Sequence, residues 1–272
     1  MLFLPVLTST IHVEIASVWP KLRAILKIFD CCGHNVVRRR VVTMKSYVAA
    51  VLGGSGSVGK HVLKSLLADP QCQKVVLVSR RALDDLKSID PERIRIEVCN
   101  PLDDMSKADL SGAQVAFCTI GHGSSRKSTK EDLLRVDATI PGEFATRCKA
   151  SGVSHYCVMT AVGADESSKW SAITKSAAGG GWYNHVKGVA ERLTIEARLP
   201  YLMIAQPGAL LGSPHTPSIL NFVPNAFFPQ KYSSAHIADI AGGMVRATTN
   251  AYQNETSGVF TVSGGVPISE YK

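Results

Sequence analysis

The sequence predicts an α/β fold, a doubly wound parallel sheet with helices on both faces. Two observations carry this prediction. Short apolar runs of strand length alternate with segments of helical periodicity over residues 46–272, and such alternation builds βαβ units. A glycine cluster also joins the first apolar run to the first helical segment, where this architecture places a tight turn. We expect one domain over 46–272, with a small substrate-side region near its C-terminal end.

Seven segments are predicted as strands because they are short and apolar and end at glycine or polar residues. In chain order they are YVAAVLG (47–53), KVVLVSRR (74–81), RIRIEVCN (93–100), AQVAFCTIG (113–121), SHYCVMTAVG (154–163), YLMIAQPGALLG (201–212) and GVFTVSGG (258–265).

Four segments with helical periodicity separate these strands. They are SVGKHVLKSLLADP (57–70), STKEDLLRVDATIPGEFATRCKASG (128–152), WYNHVKGVAERLTIEARLP (182–200) and SAHIADIAGGMVRATTN (234–250). Pro141 must kink or interrupt the second helix, because proline lacks the N–H that a helix interior uses. The proline-rich stretch 211–234 is expected to be irregular, either covering a substrate pocket or forming a surface excursion.

Composition excludes several classes of protein. The 272 residues are 45% hydrophobic and 19% charged, with a net charge of +8, which is ordinary for a globular enzyme. Basic residues are not interleaved with aromatics, so no nucleic-acid partner is predicted, and no apolar run is long enough to span a bilayer. The seven cysteines show neither C-x-x-C nor metal-ligand spacing. We therefore predict no metal site and no disulfide framework, and expect a reducing compartment.

Residues 1–45 differ from the rest of the chain. Glu14 and Asp30 are their only acidic residues, and an acid-poor, basic leader is typical of an organelle presequence. The alternative is an extension ahead of a domain that starts near Met44. We expect a cytoplasmic protein with such an extension, and mitochondrial localisation as the alternative if the segment is a presequence.

The segment GGSGSVG places Gly53, Gly56 and Gly59 three residues apart, between the first strand and the first helix. Gly53 would permit the tight turn, and Gly56 would let a pyrophosphate approach the main chain. Gly59 would let the helix pack closely on the strand. Ser55 and Ser57 could donate further hydrogen bonds. The helix N-terminus offers N–H groups and a partial positive charge. A dinucleotide site is therefore predicted.

The end of the second strand indicates which dinucleotide binds. An NAD-selective site usually carries a carboxylate there, for the ribose 2′-hydroxyl. This chain instead has Arg80 and Arg81, whose guanidiniums suit a 2′-phosphate. NADP(H) is therefore predicted, against the alternative of a basic loop with no specific partner.

Tyr183 and Lys187 lie four residues apart in a helical segment, and so share one helix face. A nearby ammonium is expected to lower the tyrosine pKa from its usual value of about 10. Such a tyrosine can exchange a proton with a carbonyl oxygen while a nicotinamide transfers hydride. Lys187 could also hold the nicotinamide ribose.

The segments GGSGSVG, VSRR, FCTIGHGSSRKS, LLRVDA, VMTAVGAD, YNHVKGVAE and QPGALL occur in the order seen in short-chain dehydrogenases/reductases. The chain most resembles their atypical branch, typified by Tat-interacting-protein-like oxidoreductases, over residues 46–270. The resemblance implies a Rossmann domain that binds NADPH, and it allows a role with protein partners. By motif match, it implies cofactor contacts at Ser55, Gly56, Ser57, Val58, Arg80, Arg81, Ile120, Gly121, Tyr183, Lys187 and Leu210.

The chain departs from that family at four places, one of which is Asn100, where an adenine-contacting aspartate is common. The usual Ser-Ser after the fifth strand is Thr160-Ala161, so Thr160 is the expected hydroxyl for a substrate oxygen. Asp137 stands where many extended relatives carry asparagine. An insertion, SAITKSAAGGG (171–181), precedes Tyr183.

Two functions follow from these residues. The first is an NADP(H)-dependent oxidoreductase acting on a small-molecule carbonyl or alcohol, with Tyr183, Lys187 and Thr160 as catalytic residues. The second is an NADPH-binding regulator or scaffold with little or no turnover. An isomerase or epimerase that holds NAD is a weaker third alternative, which Arg80 and Arg81 disfavour. The oligomeric state is left open.

Overall fold

The computed structural model describes residues 44–123, 128–168, 181–214, 216, 225 and 229–271. A seven-stranded sheet forms its centre, and every neighbouring pair in it is parallel. Its strands are β1 Tyr47–Leu52, β2 Cys72–Ser79, β3 Ile94–Val98, β4 Val115–Cys118, β5 His155–Met159, β6 Tyr201–Gln206 and β9 Gly258–Ser263. The seven predicted strands are thus confirmed. Two-residue strands, β7 Leu210–Leu211 and β8 Ala235–His236, form a separate parallel pair.

The strand order is β3-β2-β1-β4-β5-β6-β9. The chain runs outward from β1 to β3, then returns to the other side of β1 at β4, so the direction of winding reverses between β1 and β4. In such sheets ligands bind at the carboxyl ends of the strands beside this reversal. The predicted doubly wound architecture is confirmed.

Helices cover both faces of the sheet. They are α1 Ser57–Ala68, α2 Asp84–Lys87, α3 Lys130–Leu134, α4 Ile140–Ala150, α5 Trp182–Glu196, α6 Ile237–Gln253 and α7 Gly265–Glu270. A 3-10 turn occupies Gln230–Tyr232. The buried side of α1 and α6 packs on one face of the sheet, and that of α4 on the other.

Alternation along the strands divides the core into two apolar layers. In β1, Ala49 and Val51 face the layer covered by α1 and α6, whereas Ala50 and Leu52 face the layer covered by α4. All four are at most 1% exposed. A strand that is buried on both faces needs apolar residues at successive positions, which accounts for the continuous apolar run of β1. Complete burial of one Val or Leu side chain contributes about 1.5–3 kcal/mol to the stability of the fold.

The long helix predicted over 128–152 is interrupted, as the proline in it predicted. After α3, residues Arg135–Thr139 form a π-helical turn, and α4 then begins with Pro141 in its first turn. Proline cannot donate to a carbonyl four residues earlier, which favours a wider turn at this point. The wide turn carries Asp137.

Several expectations concern residues outside the described part of the chain. They are residues 1–43 of the leader, most of the insertion before Tyr183, and half of the proline-rich stretch 211–234. No described helix has the length and apolar character that a membrane crossing requires. The five described cysteines are buried and unpaired: Cys72, Cys99, Cys118, Cys148 and Cys157.

Candidate functional site

The glycine loop turns sharply where β1 ends. Gly53 has a φ of +89°, and a Cβ placed there would lie 2.8 Å from the backbone nitrogen of Ile120 and 2.9 Å from the carbonyl carbon of Thr119. Both the backbone conformation and the close approach of the loop after β4 require glycine. Gly53 therefore forms the tight turn expected of it.

Gly59 allows α1 to start directly against the end of β1. A Cβ on Gly59 would lie only 2.0 Å from the carbonyl oxygen of Gly53. Gly56 has an ordinary φ of −72° and occupies the N-cap of α1, where no side chain caps the helix. An uncapped N-terminus leaves backbone N–H groups without an intrahelical acceptor, an arrangement suited to an anion.

The side chains around this loop differ in what they can offer a ligand. Ser55 and Gly56 are exposed, and Ser57 is half-buried. Val58 is 2% exposed and packs in the apolar core, so only its backbone remains available for a cofactor contact. Of the three glycines, Gly56 is exposed, Gly53 is half-buried and Gly59 is buried, so Gly56 offers a diphosphate the most accessible backbone.

Arg80 and Arg81 follow β2, the strand next to β1. Both are exposed, and neither guanidinium forms a salt bridge with any residue that the structure describes. Two exposed arginines at this position can contact an anionic group without first breaking an ion pair.

The loop after β4 lies between the glycine loop and α5 and approaches both. Ile120 contacts the position of Gly53, and a Cβ on Gly121 would lie 3.2 Å from Asp137 Oδ1 and 4.0 Å from Lys187 Nζ. The backbone N–H of His122 donates to Asp137 Oδ2 at 2.8 Å. Ile120 and Gly121 thus lie between two parts of the predicted site that are far apart in sequence.

Asp137 and Lys187 form an almost fully buried ion pair. Their Oδ1 and Nζ atoms are 2.7 Å apart, and the side chains are 4% and 5% exposed. Burial alone lowers the pKa of Lys187, but the charge and hydrogen bond of Asp137, together with Tyr183, outweigh it and leave the pKa raised. Sequence reasoning noted Asp137 only as a departure from a family pattern and did not predict this pair.

Tyr183 lies beside this pair, with Lys187 Nζ 5.7 Å from the centre of its ring. The expectation that Lys187 leaves the tyrosine pKa below its usual value is wrong. Burial raises the pKa, and the ammonium of Lys187 lowers it by less. Asp137 raises it further, because its negative charge opposes formation of a phenolate. Tyr183 is therefore a phenol at neutral pH.

Thr160 follows β5 and is 4% exposed. Its hydroxyl donates to Glu191 Oε1 at 2.6 Å, and Gln206 Nε2 donates to the same oxygen at 2.8 Å. Sequence reasoning missed Glu191. Its spacing was a usable signal, because Tyr183, Lys187 and Glu191 recur every four residues and so follow one face of α5.

Leu210 lies in β7, where it is half-buried and packs against the core. Among the described residues, no cluster of three or more His, Cys, Asp or Glu side chains could hold a metal ion.

Comparison with known proteins assigns the chain to a family. The family model described as NAD(P)H-binding matches residues 53–250, a range that includes the glycine loop, both arginines and α5. Rat Protein HTATIP2 is 28% identical over 222 residues, which cover 79% of this chain and 85% of that protein. Protein FMP52-1, mitochondrial, from Scheffersomyces stipitis is 27% identical over 168 residues, covering 62% of this chain and 69% of that protein.

Solved structures with the same fold include sugar-nucleotide epimerases. UDP-N-acetylglucosamine 4-epimerase from Bacillus cereus has a TM-score of 0.53 at 17% identity, with 80% of this chain and 78% of that chain covered. UDP-glucuronic acid 4-epimerase from Bacillus cereus, in complex with NAD, has a TM-score of 0.55 at 14% identity, with 80% and 77% covered. At these identities the likeness shows the fold alone. Together with the glycine loop and the sheet order, the match over residues 53–250 places the chain in the NAD(P)H-binding family, and its likeness to HTATIP2 and FMP52-1 agrees with the expected resemblance to atypical short-chain dehydrogenases/reductases.

Proposed function

We propose that the protein is an NADP(H)-dependent oxidoreductase acting on a small-molecule carbonyl or alcohol. One observation carries the proposal: the loop after β4 touches the glycine loop through Ile120 and the Asp137–Lys187 pair through Gly121. A dinucleotide bound at the glycine loop therefore has the Tyr183–Lys187 face of α5 as a neighbour. NAD(P)H binding is the family property, and the preference for NADP(H) is part of the proposal.

The residues present fit such a cofactor. The uncapped start of α1 at Gly56 would receive the diphosphate, with Ser55 and Ser57 as further donors. Arg80 and Arg81, exposed and unpaired within the described chain, would hold the 2′-phosphate through charge-assisted hydrogen bonds. We propose that further cofactor contacts come from Ile120, Gly121, Leu210 and the backbone of Val58. Gly53 and Gly59 would support the conformation of the loop.

When bound, the cofactor supplies or accepts a hydride. The role left for Tyr183 is proton exchange with the substrate oxygen, and its raised pKa keeps it protonated at neutral pH. A phenol of this kind serves as the acid in carbonyl reduction: its proton goes to the carbonyl oxygen, and solvent returns one afterwards. Lys187, held by Asp137, offers its remaining N–H groups to the nicotinamide ribose.

The test pairs a binding titration with a rate measurement. Tyr183→Phe is expected to leave the Kd for NADPH within about twofold, because the ring and its packing stay. It should lower NADPH oxidation, measured against a panel of aldehydes, ketones and quinones, by at least about 100-fold. Turnover that survives this change with a good substrate would refute the role of Tyr183, and failure to bind NADPH would refute the proposal as a whole.

A second function, an NADPH-binding regulator or scaffold without turnover, is favoured by one observation. The Thr160 hydroxyl donates its hydrogen to Glu191. In this arrangement Thr160 therefore cannot donate a hydrogen bond to a substrate carbonyl, which is the role expected of it. Tight NADPH binding without oxidation across the whole panel would favour this alternative. Its partners would then be proteins rather than a small-molecule substrate.

For localisation we keep the cytoplasm as the proposal and the mitochondrion as its alternative. The mitochondrial names of the yeast relatives support the alternative. Expression of the full chain and of residues 44–272, each fused at its C-terminus to a fluorescent protein, separates the two. Mitochondrial signal that depends on residues 1–43 would establish the alternative, and diffuse signal from both would reject it.

A further inference from the structure

The hydroxyl of Thr160 has one hydrogen, and that hydrogen is already in use. Its Oγ lies 2.6 Å from Glu191 Oε1. An ionised carboxylate can only accept hydrogen bonds, so the hydrogen lies between the two oxygens and Thr160 offers a ligand only its lone pairs. A carbonyl oxygen also only accepts, whereas an alcohol hydroxyl can donate.

Glu191 is held in place from two strands. Gln206, at the end of β6, donates from Nε2 to the same Oε1 at 2.8 Å. The Oε1 atom of Gln206 in turn accepts from Ser263 Oγ, at the end of β9, at 2.6 Å. Because Ser263 occupies the amide oxygen, the NH₂ group of Gln206 is directed at Glu191, which keeps the carboxyl facing Thr160.

Burial and the neighbouring donors act on the Glu191 carboxyl in opposite directions. Burial raises its pKa, while the hydrogen bonds from Thr160 and Gln206 and the charge of Lys187 lower it by less. Lys187 lies one turn earlier on α5, and its charge is balanced by Asp137 of the π-helical turn. Thr160, after β5, and Gln206, at the end of β6, contact Glu191 and carry no charge. Ser263, at the end of β9, contacts Gln206 and is also uncharged.

We propose that Glu191 is a positioning residue that decides which hydrogen bond Thr160 offers the ligand. Ionised, Glu191 holds the hydrogen of Thr160, which then accepts a hydrogen bond from a ligand hydroxyl. Protonated, Glu191 donates to Thr160 Oγ, and the hydrogen of Thr160 turns towards a carbonyl oxygen. The inference rests on the proposed function, because it takes the ligand oxygen to lie at Thr160.

The first test needs no turnover and no substrate. Glutamate labelled with ¹³C at Cδ is incorporated into the full chain, and the Glu191 signal is identified by its loss in Glu191→Gln. A pH titration should place its pKa above the usual value of about 4.3. Thr160→Val should raise it further, since the carboxylate loses a hydrogen-bond donor. Thr248→Val, which removes a buried hydroxyl from α6, should leave it unchanged. An unchanged Glu191 pKa in Thr160→Val overturns the inference.

The second test measures ligand preference in complexes that cannot react. Dissociation constants are measured for benzyl alcohol with NADPH bound and for benzaldehyde with NADP⁺ bound, between pH 5 and pH 8. In the unmodified protein the preference for the alcohol over the aldehyde should rise about tenfold across the pKa of Glu191. In Glu191→Gln, whose amide NH₂ imitates the protonated acid, the preference should be independent of pH and favour the aldehyde.

The two proposals fail in different ways. A preference that is independent of pH in the unmodified protein overturns the role of Glu191, even if NADPH binds and is oxidised. Loss of NADPH binding from the unmodified protein overturns the proposed function, and leaves the ¹³C titration to decide whether Glu191 and Thr160 are coupled.

Discussion

Lys187 Nζ lies 2.7 Å from Asp137 Oδ1, at a point where both side chains are almost completely buried. A buried ammonium requires a partner of opposite charge, because its desolvation costs several kcal/mol. The other carboxylate oxygen of Asp137 accepts from the backbone of His122. Asp137 therefore stabilises the ammonium of Lys187 on α5 and also holds the loop after β4. One side chain thus fixes both parts of the candidate site.

Asp137→Asn is expected to destabilise the protein by about 3 kcal/mol, because Lys187 would keep a buried charge without its counter-charge. The free energy of unfolding in urea at pH 7 measures this loss. A second change, Lys187→Met, should recover most of it in the double variant, since the unpaired charge is then removed.

A surface pair provides the control for this prediction. Asp109 contacts Arg95 in an exposed salt bridge, and Asp109→Asn should change the free energy of unfolding far less, because water solvates the remaining charge. Equal losses for Asp137→Asn and Asp109→Asn would contradict the assignment of a structural role to the buried pair.

Two substitutions in the glycine loop should have opposite effects. Gly59→Ala would place Cβ 2.0 Å from the backbone oxygen of Gly53, and overpacking against backbone should destabilise the fold by about 3 kcal/mol or more. Gly56→Ala meets only one atom, at 3.2 Å, and has an allowed φ. It should lose much less stability than Gly59→Ala, while NADPH binds at least about tenfold more weakly, because the new methyl group would occupy the proposed diphosphate position.

Thermal unfolding and NADPH titration, applied to both glycine variants, separate fold from binding. Gly56→Ala with full NADPH affinity would show that the diphosphate lies elsewhere. A stable Gly59→Ala would show that α1 can move away from β1 without loss.

Arg80 and Arg81 are expected to select the cofactor. Arg81→Ala and Arg80→Ala should each weaken NADPH binding by about 10- to 100-fold, the range of a charge-assisted hydrogen bond, and leave NADH binding within about twofold. Lys74→Ala serves as the control, since Lys74 is an exposed cation at the opposite end of β2. Isothermal titration with both reduced cofactors measures the ratio. Equal weakening for NADPH and NADH would mean that the arginines do not contact the 2′-phosphate.

The sequence predicts the sheet well because buried strands and glycine turns are local signals. Each run such as YVAAVLG carries its own length, apolar character and terminator, and parallel order follows from alternation with helices. The contacts between side chains of the candidate site could not be predicted in this way. Asp137 meets Lys187, and Thr160 meets Glu191, across 50 and 31 residues, and no local pattern encodes which side chains meet at that distance.

The direction of the Tyr183 pKa could not be read from spacing for the same reason. Four-residue spacing places Lys187 beside Tyr183, but burial of the phenol and the charge of Asp137 both raise the pKa. Two of the three contributions come from the tertiary structure. Gly59 is the opposite case, because it packs against the backbone of Gly53 in the same loop, and its packing role follows from spacing alone. The approach of Gly53 to Thr119 and Ile120 in the loop after β4 does not follow from spacing.

Glu191 predicts a pH dependence of stability whose sign can be derived. Its pKa in the folded protein is raised by burial, whereas in the unfolded protein it has the usual value for glutamate, about 4.3. Above that pH the folded state therefore binds more protons than the unfolded state. Stability then falls as pH rises through the window between the unfolded and folded pKa values, and levels off above it. Glu191→Gln cannot titrate and should lack this dependence. The difference in free energy of unfolding between the unmodified protein and Glu191→Gln should therefore decline from pH 4.5 to pH 7.5 in urea titrations.

The control is Glu255, an exposed residue whose pKa is lowered by its hydrogen bond and ion pair with Lys45. A lowered pKa gives stability that is present above the unfolded pKa and is lost only as pH falls through the folded pKa. Between pH 4.5 and pH 7.5 the difference for Glu255→Gln should thus stay almost constant. A constant difference for Glu191→Gln as well would show that Glu191 titrates like an exposed glutamate. Thr160 would then always face an ionised acceptor at neutral pH, and alcohol ligands would be favoured over carbonyl ligands throughout that range.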